Sequence, residues 1–261
     1  NKDGFTDLTL QDRISIFNKF SLSNKFSIAT RFVYEDRWGG QMGWLPVHRG
    51  TDILYGESII TSRFEFFGKY QFSKNLSFQY SFNDHNQNAA YGKILLKAYQ
   101  TIGFGQLVWN KKIAKHELLM GMAYRFTQYD DNTTATFNNF STQNLASKTN
   151  LPGIFIQNQT QINPRNNLLL GLRLDRNSIH GNILTPRINY KINNIDKSSI
   201  LRFSAGTGYR VAHIFTEDHA ALTGAREVVF LKDLKPEKSW NTNLNFVQKL
   251  YLKKGGIIDL D

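Results

Sequence analysis

Apolar and polar residues alternate with period two along most of this chain, in runs separated by turn-forming residues. Residues 58–72 and 76–83 show the pattern most cleanly. Phe64, Phe66, Gly68, Tyr70 and Phe72, then Leu76, Phe78, Tyr80 and Phe82, occupy one parity. Arg63, Glu65, Phe67, Lys69 and Gln71, then Ser77, Gln79, Ser81 and Asn83, occupy the other. Successive side chains of a strand point to opposite faces, so each run predicts a strand with one aromatic face and one polar face. The same alternation recurs at 26–35, 118–127, 168–175, 184–192, 201–210 and 239–246. Three runs are less regular: Asp12 falls on the apolar parity of Leu10 and Ile14, Asn158 interrupts Ile154, Ile156 and Ile162, and residues 98–109 mix both parities.

The joins between runs alternate in length. Residues 21–24, 73–75, 110–115, 163–166, 193–198 and 253–256 are short and rich in turn formers, whereas 36–56, 84–94, 130–151, 176–182 and 211–235 are longer. Outer-membrane barrels have short turns on the periplasmic side and longer loops outside the cell. A sandwich or a soluble barrel has no reason to collect its long loops at one end. The chain therefore predicts an all-β fold, an antiparallel transmembrane β-barrel, with eleven strands and the first residues of a twelfth. An open set of strands leaves unpaired edges in lipid, so more barrel is expected beyond the chain.

Composition agrees. At 261 residues, one large β domain is within reach. No run approaches the ~18 apolar residues of a membrane helix, and the negative mean hydropathy reflects the polar parity of the strands. The net charge of +11 is scattered over turns and inward parities, without a basic block, which argues against nucleic acid and for contact with lipid phosphates. There is no cysteine, so disulfides and thiolate metal sites are excluded. The sequence opens on Asn1, carries no signal peptide and ends as a strand begins, and is expected to be a piece of a longer protein.

Residues 168–248 resemble the barrel of TonB-dependent outer-membrane receptors. The resemblance rests on Gly171-Leu172-Arg173-Leu174-Asp175, Thr185-Pro186-Arg187-Ile188-Asn189-Tyr190, Ser204-Ala205-Gly206-Thr207-Gly208-Tyr209-Arg210 and Leu234-Lys235-Pro236-Glu237, in that order. Residues 181–191 and 211–229 look closest to members from Bacteroidetes-type bacteria, some of which resemble cobalamin receptors. The chain departs from the family pattern at Val211-Ala212-His213 and Leu231-Lys232-Asp233. The resemblance implies about 11–12 strands of a 22-stranded barrel, one partial barrel domain over 1–261. The N-terminal plug and the C-terminal strands would lie elsewhere. It also implies energised uptake across the outer membrane of a Gram-negative bacterium, with lipid, the plug, the TonB complex and a scarce nutrient as partners. An iron chelate or a cobalamin-like molecule is the cargo it suggests.

Candidate chemistry is sparse. His48, His85, His180, His213 and His219 fall in or beside the long joins without metal-ligand spacing, and read as solvated loop histidines. Asp130, Asp131 and Asn132, with Asp36 and Asp84, lack a calcium-loop motif and read as turn residues. Trp38, Trp44, Tyr55, Phe137 and Phe140 suit a large, partly apolar ligand or an interfacial girdle. The candidate ligand set is Trp38, Trp44, His48, Tyr55, His85, Tyr129, His213, His219 and Arg226. Arg63, Arg125, Arg173, Arg187, Arg202 and Arg210 share the inward parity, suited to plug carboxylates first and anionic solute second. No nucleophile, zinc or phosphate-loop motif occurs and no cofactor is implied, so an enzyme is not expected. A passive porin-like barrel and, more distantly, a soluble β-sandwich binding module are the alternatives.

Overall fold

A computed structural model describes residues 3–133, 136–138, 143–196, 198–211, 234–251 and 257–260. The strands in chain order are β1 (Leu10–Leu22), β2 (Phe26–Gly40), β3 (Gly56–Gln71), β4 (Leu76–Tyr91), β5 (Ile94–Ile113) and β6 (His116–Asp131). There follow β7 (Phe137–Asn138), β8 (Gln143–Asn144), β9 (Ser147–Gln161), β10 (Asn166–Asn177), β11 (Gly181–Asn193), β12 (Ser199–Arg210), β13 (Glu237–Tyr251) and β14 (Ile257–Leu260). All but β7 and β8 form one antiparallel sheet in sequence order, β1-β2-β3-β4-β5-β6-β9-β10-β11-β12-β13-β14. β1 and β14 are its two edges, and β7 and β8 pair only with each other. A sandwich needs a second large sheet against the first; the described residues supply none.

Register turns the alternation into two faces. Phe26, Tyr70, Phe78, Leu107, Met122, Ile154, Leu174 and Leu184 are successive cross-strand neighbours from β2 to β11. Phe26 is the first residue of β2 at the short-turn end, whereas Leu184 lies well up β11 from Asn193, which marks that same end. The row therefore climbs across the strands, the stagger that a closed barrel requires of tilted strands. Its side chains are not packed: Met122 is 60% exposed and Leu184 56%. Most buried positions lie on the opposite face and are small or polar, including Ala29, Ser77, Ala123, Glu65 and Asp175; Ser58 and Ala90 are buried on the outward face, near the long-loop end. The apolar face is thus the outward, lipid-facing one, as the alternation predicts.

Three sequence expectations change in detail. Residues 84–94 are not a loop: β4 runs to Tyr91 and turns into β5 through Gly92 and Lys93, where Gly92 takes the left-handed φ of 56°. Residues 176–182 shrink to a turn at 178–180 between β10 and β11. Both stretches lose the apolar parity because the wall rises past the hydrocarbon. Asp84 there accepts from the Tyr99 hydroxyl at 2.5 Å and from Thr101 at 3.2 Å. Asp12 pairs across to Asp36, beyond the Ile14–Tyr34 step, so it sits at the polar end of β1 and not in mid-bilayer. The mixed parity of β5 arises because Ile102, Phe104 and Val108 point inward, in line with Asn83, Ser81 and Ser77.

The outward apolar stretch of β10, Leu168 to Leu174, fixes where a charge costs most. Leu172→Lys in the full-length protein is expected to lose about 2–4 kcal/mol of stability in lipid, and inward Asn189→Lys less than about 1 kcal/mol. Denaturant unfolding of the bilayer-reconstituted protein checks this; equal losses would reverse the two faces.

Candidate functional site

The inward face carries guanidiniums held in three ways. The register places Arg31, Glu65 and Asn83 side by side on β2, β3 and β4, with Val33, Arg63 and His85 in the adjoining row. Glu65, only 8% exposed, accepts from Arg31 Nε on Oε2 at 2.6 Å, and its Oε1 accepts from Asn83 Nδ2 at 2.9 Å and pairs with Arg63. One carboxylate shared by two guanidiniums leaves net positive charge on the wall. Both arginine side chains remain 43% exposed, so the surplus faces the interior water.

Further round, Arg173 on β10 forms a two-pronged pair with Asp175, Nε to Oδ2 and Nη2 to Oδ1, both 2.7 Å. Asp175 is 2% exposed, and a buried charge of this kind needs a fixed partner. Gly153 makes the room: a Cβ there would lie 2.0 Å from Asp175 Oδ1. The Arg173 guanidinium also stands 5.6 Å from the centre of the Phe155 ring. Beside it lies a hollow of about 410 Å³, lined among others by Arg125, Arg173, Asp175, Thr185 and Tyr209. Arg125 has no carboxylate partner among the described residues.

The third arrangement is a guanidinium laid flat. Arg187 lies along Gly171, where a Cβ would meet its Nε at 2.9 Å, and donates to Gln157 Oε1. Arg202 donates to Asn245 Oδ1 at 2.8 Å. Arg210 binds Glu237 at 2.9 and 3.0 Å, joining the end of β12 to the start of β13. All six arginines singled out in the sequence thus share the inward parity. Arg125 and Arg173 share a hollow. Arg31, Glu65, Asp175, Phe155 and Tyr209 complete these clusters, and only the strand register reveals them.

Among the described residues, those proposed for ligand capture do not converge. Trp44 packs over Gly56, where a Cβ would sit 2.5 Å from its indole, and Arg49 donates to Asn88 Oδ1 at 2.8 Å and Ser58 Oγ at 3.2 Å. Gly56, Ser58 and Asn88 have outward parity, so this loop leans over the outside of β3 and β4. Trp38 has outward parity too, opposite Ser58. His48 Nδ1 accepts from the Leu45 N–H at 3.0 Å, closing the turn at Pro46–His48. Tyr55 donates to Glu57 at 2.8 Å; desolvation first, then this bond, pushes its phenol up to about 12. His85 and Tyr129 belong to strands β4 and β6 and face inward, His85 in line with Arg63 and Tyr129 bonded to Asp131 at 2.8 Å. His213, His219 and Arg226, with Phe140, lie outside the described residues.

Asp131 is a structural hub. Its carboxylate accepts from the Tyr129 hydroxyl and, at 2.8–2.9 Å, from Thr133 N, Thr133 Oγ1 and Thr136 Oγ1. Among the described residues no three His, Asp or Glu side chains are grouped to hold a metal ion.

The model of the TonB dependent receptor-like beta-barrel matches residues 3–261. The chain belongs to this family. The membership places it in the outer membrane of a Gram-negative bacterium and in a family of receptors, not enzymes. Solved structures agree on the fold. The siderophore receptor PirA from Pseudomonas aeruginosa is 11% identical with a TM-score of 0.64, over 92% of this chain and 43% of its own. The ferric enterobactin receptor PfeA, from the same organism, is 11% identical with a TM-score of 0.65, over 92% and 41%. The copper transporter OprC is 12% identical with a TM-score of 0.60, over 92% and 43%. The chain therefore spans less than half the length of each of these receptors. No curated protein matches it.

In this TonB-dependent receptor barrel the sequence landmarks acquire physical roles. Pro186 has no N–H to donate, and the β11–β12 ladder starts just beyond it at Arg187↔Gly206. Arg210 and Glu237 tie the Gly-Tyr-Arg landmark to Leu-Lys-Pro-Glu. Gly153→Ala is expected to displace Asp175 and cost about 1–3 kcal/mol, since the buried pair opens while Arg173 keeps access to water. Gly103→Ala meets nothing within 4 Å and is expected to be neutral within about 0.5 kcal/mol. Denaturant midpoints of the full-length receptor in detergent separate the two; equal midpoints would deny Gly153 its role.

Proposed function

We propose that this wall is part of a TonB-energised receptor that imports a scarce nutrient as an anionic chelate, with iron chelates the leading class. The observation that carries the reading is the surplus of guanidinium on the inward face. Glu65 is shared between two arginines, and among the described residues Arg187 and Arg202 bond to amides and Arg125 has no carboxylate partner. Such a surface attracts anions along its length and suits both acidic plug residues and a negatively charged solute. The structural neighbours, siderophore and ferric enterobactin receptors, lend the iron-chelate class its support. A cobalamin-like cargo rests on the sequence resemblance alone.

On this reading the twelve-stranded sheet is closed by further strands of the same receptor, because edges β1 and β14 need partners in lipid. A plug domain occupies the lumen, and the TonB complex pulls on it to open the path along the arginine wall. The barrel performs no covalent chemistry.

Deletion of the gene is expected to abolish growth on a ferric chelate as sole iron source. The wild-type gene should restore it only where TonB is functional. Arg125→Gln combined with Arg187→Gln should lower labelled chelate uptake several-fold with outer-membrane abundance unchanged. Uptake that survives loss of TonB would point to a passive pore, and rescue by cobalamin alone would reassign the cargo.

A further inference from the structure

The outward face is not a uniform belt. Across β5, β6, β9 and β10 it sinks into an open hollow of about 850 Å³, walled by Leu107, Met122, Ile154 and Leu174. Gly105 widens it: in register between Tyr80 and Tyr124 it carries no ring of its own, and the end of the Phe78 ring leans in beside it, 3.2 Å from where a Cβ would lie. The end nearer the long loops is polar. Arg176 pairs across to Asn182, one outward step beyond Leu174↔Leu184, and both side chains line the hollow. Arg176 is the first charge after the apolar stretch of β10, is exposed, and has no carboxylate partner among the described residues. The nearby polar groups of this face are uncharged, with Tyr124 donating to Asn150 at 2.5 Å. An unpaired guanidinium at the rim of an apolar hollow is therefore free to take an external anion.

We propose that this hollow binds one phosphate-bearing lipid of the outer leaflet. An acyl chain lies along Leu107, Met122, Ile154 and Leu174, and the phosphate is held by Arg176 with the Asn182 amide. Charge complementarity selects a phosphorylated lipid over a neutral one, since a phosphate accepts two parallel N–H bonds from arginine. Depth supplies the rest: a chain settled over Gly105 buries more of its surface than one on a convex wall. The inference rests on the outward face meeting lipid and is independent of the cargo.

The test uses the full-length receptor in lipid nanodiscs, with native mass spectrometry as readout. The probes are a phosphorylated glycolipid of the lipid A type and the same glycolipid after removal of its phosphates. Wild type is expected to retain one phosphorylated molecule and to hold the dephosphorylated form roughly tenfold more weakly, as loss of a charge-assisted contact requires. Arg176→Gln should erase that difference, Gly105→Leu should weaken both lipids, and inward Arg202→Gln should change neither. The wild-type comparison needs no variant to fold. Equal retention of the two glycolipids by wild type, or the same preference in Arg176→Gln, would overturn the proposal. Chelate uptake, measured separately, is unaffected by either result.

Discussion

A sheet that faces hydrocarbon must pair every backbone N–H and C=O within the wall, because no water is present to take an unpaired one. Everything else in this molecule follows from that pairing. It forces the strands into one continuous antiparallel order, ties each strand to its sequence neighbours, and fixes a register in which all odd or all even residues share a face. The stagger of that register tilts the strands. Period-two alternation then settles chemistry at a stroke: leucine and aromatic residues outward, arginine, asparagine and glutamine inward. A slip of one residue anywhere would exchange the two faces of that strand.

The inward face shows how a wall holds many cations without collapsing on itself. Coupling every arginine to its own carboxylate would neutralise the surface, and burying them unpaired would cost several kcal/mol each. The structure takes a middle course. Glu65 and Asp175 are buried and fully engaged, and the guanidiniums they hold stay partly wet. Glycine is the enabling residue, since Gly153 receives the Asp175 carboxylate and Gly171 the Arg187 stem. The result is a pinned, water-facing positive surface instead of a set of loose side chains.

Most of this architecture is legible in the sequence, because lipid and water impose opposite demands on adjacent residues. The strands that cross hydrocarbon, such as β3, β6 and β10, announce themselves by alternation. Legibility fails where that contrast fails. Asn86–Tyr91 and their partners on β5 are strand, yet Ala89, Tyr91 and Leu96 pack together on one face and the loop carrying Trp44 and Arg49 covers the other, so the lipid–water contrast is lost, the period vanishes and the segment reads as loop. Asp12 reads as a mid-bilayer charge until the β1–β2 register lifts it to the level of Asp36. The arginine clusters were half visible: the parity of Arg63 and Arg173 could be read, but Arg31 meeting Glu65 depends on how β2 and β3 align across a fifteen-residue loop. Trp44, Tyr55 and His48 read as exposed loop residues; their packing over Gly56, beside Glu57 and into a turn depends on the path of the loop, which residue type does not encode.

The family landmarks mark where the pairing rule is relaxed, and this explains why they stand out. Pro186 removes a donor, and above it β11 and β12 run side by side without a ladder. Pro186 pairs with Leu172, inside the apolar stretch of β10, so the relaxation begins at the level of the hydrocarbon and continues toward the long-loop end of β11. On the other side of β12 the ladder with β13 stays complete to Arg210↔Glu237. Arg210 pairs with Glu237 across β12 and β13, and Tyr209 with Thr185 lines the hollow beside Arg173 and Asp175. Proline, glycine, tyrosine and arginine at fixed spacing therefore describe one seam, at which the ladder stops on the β11 side of β12 and continues on the β13 side.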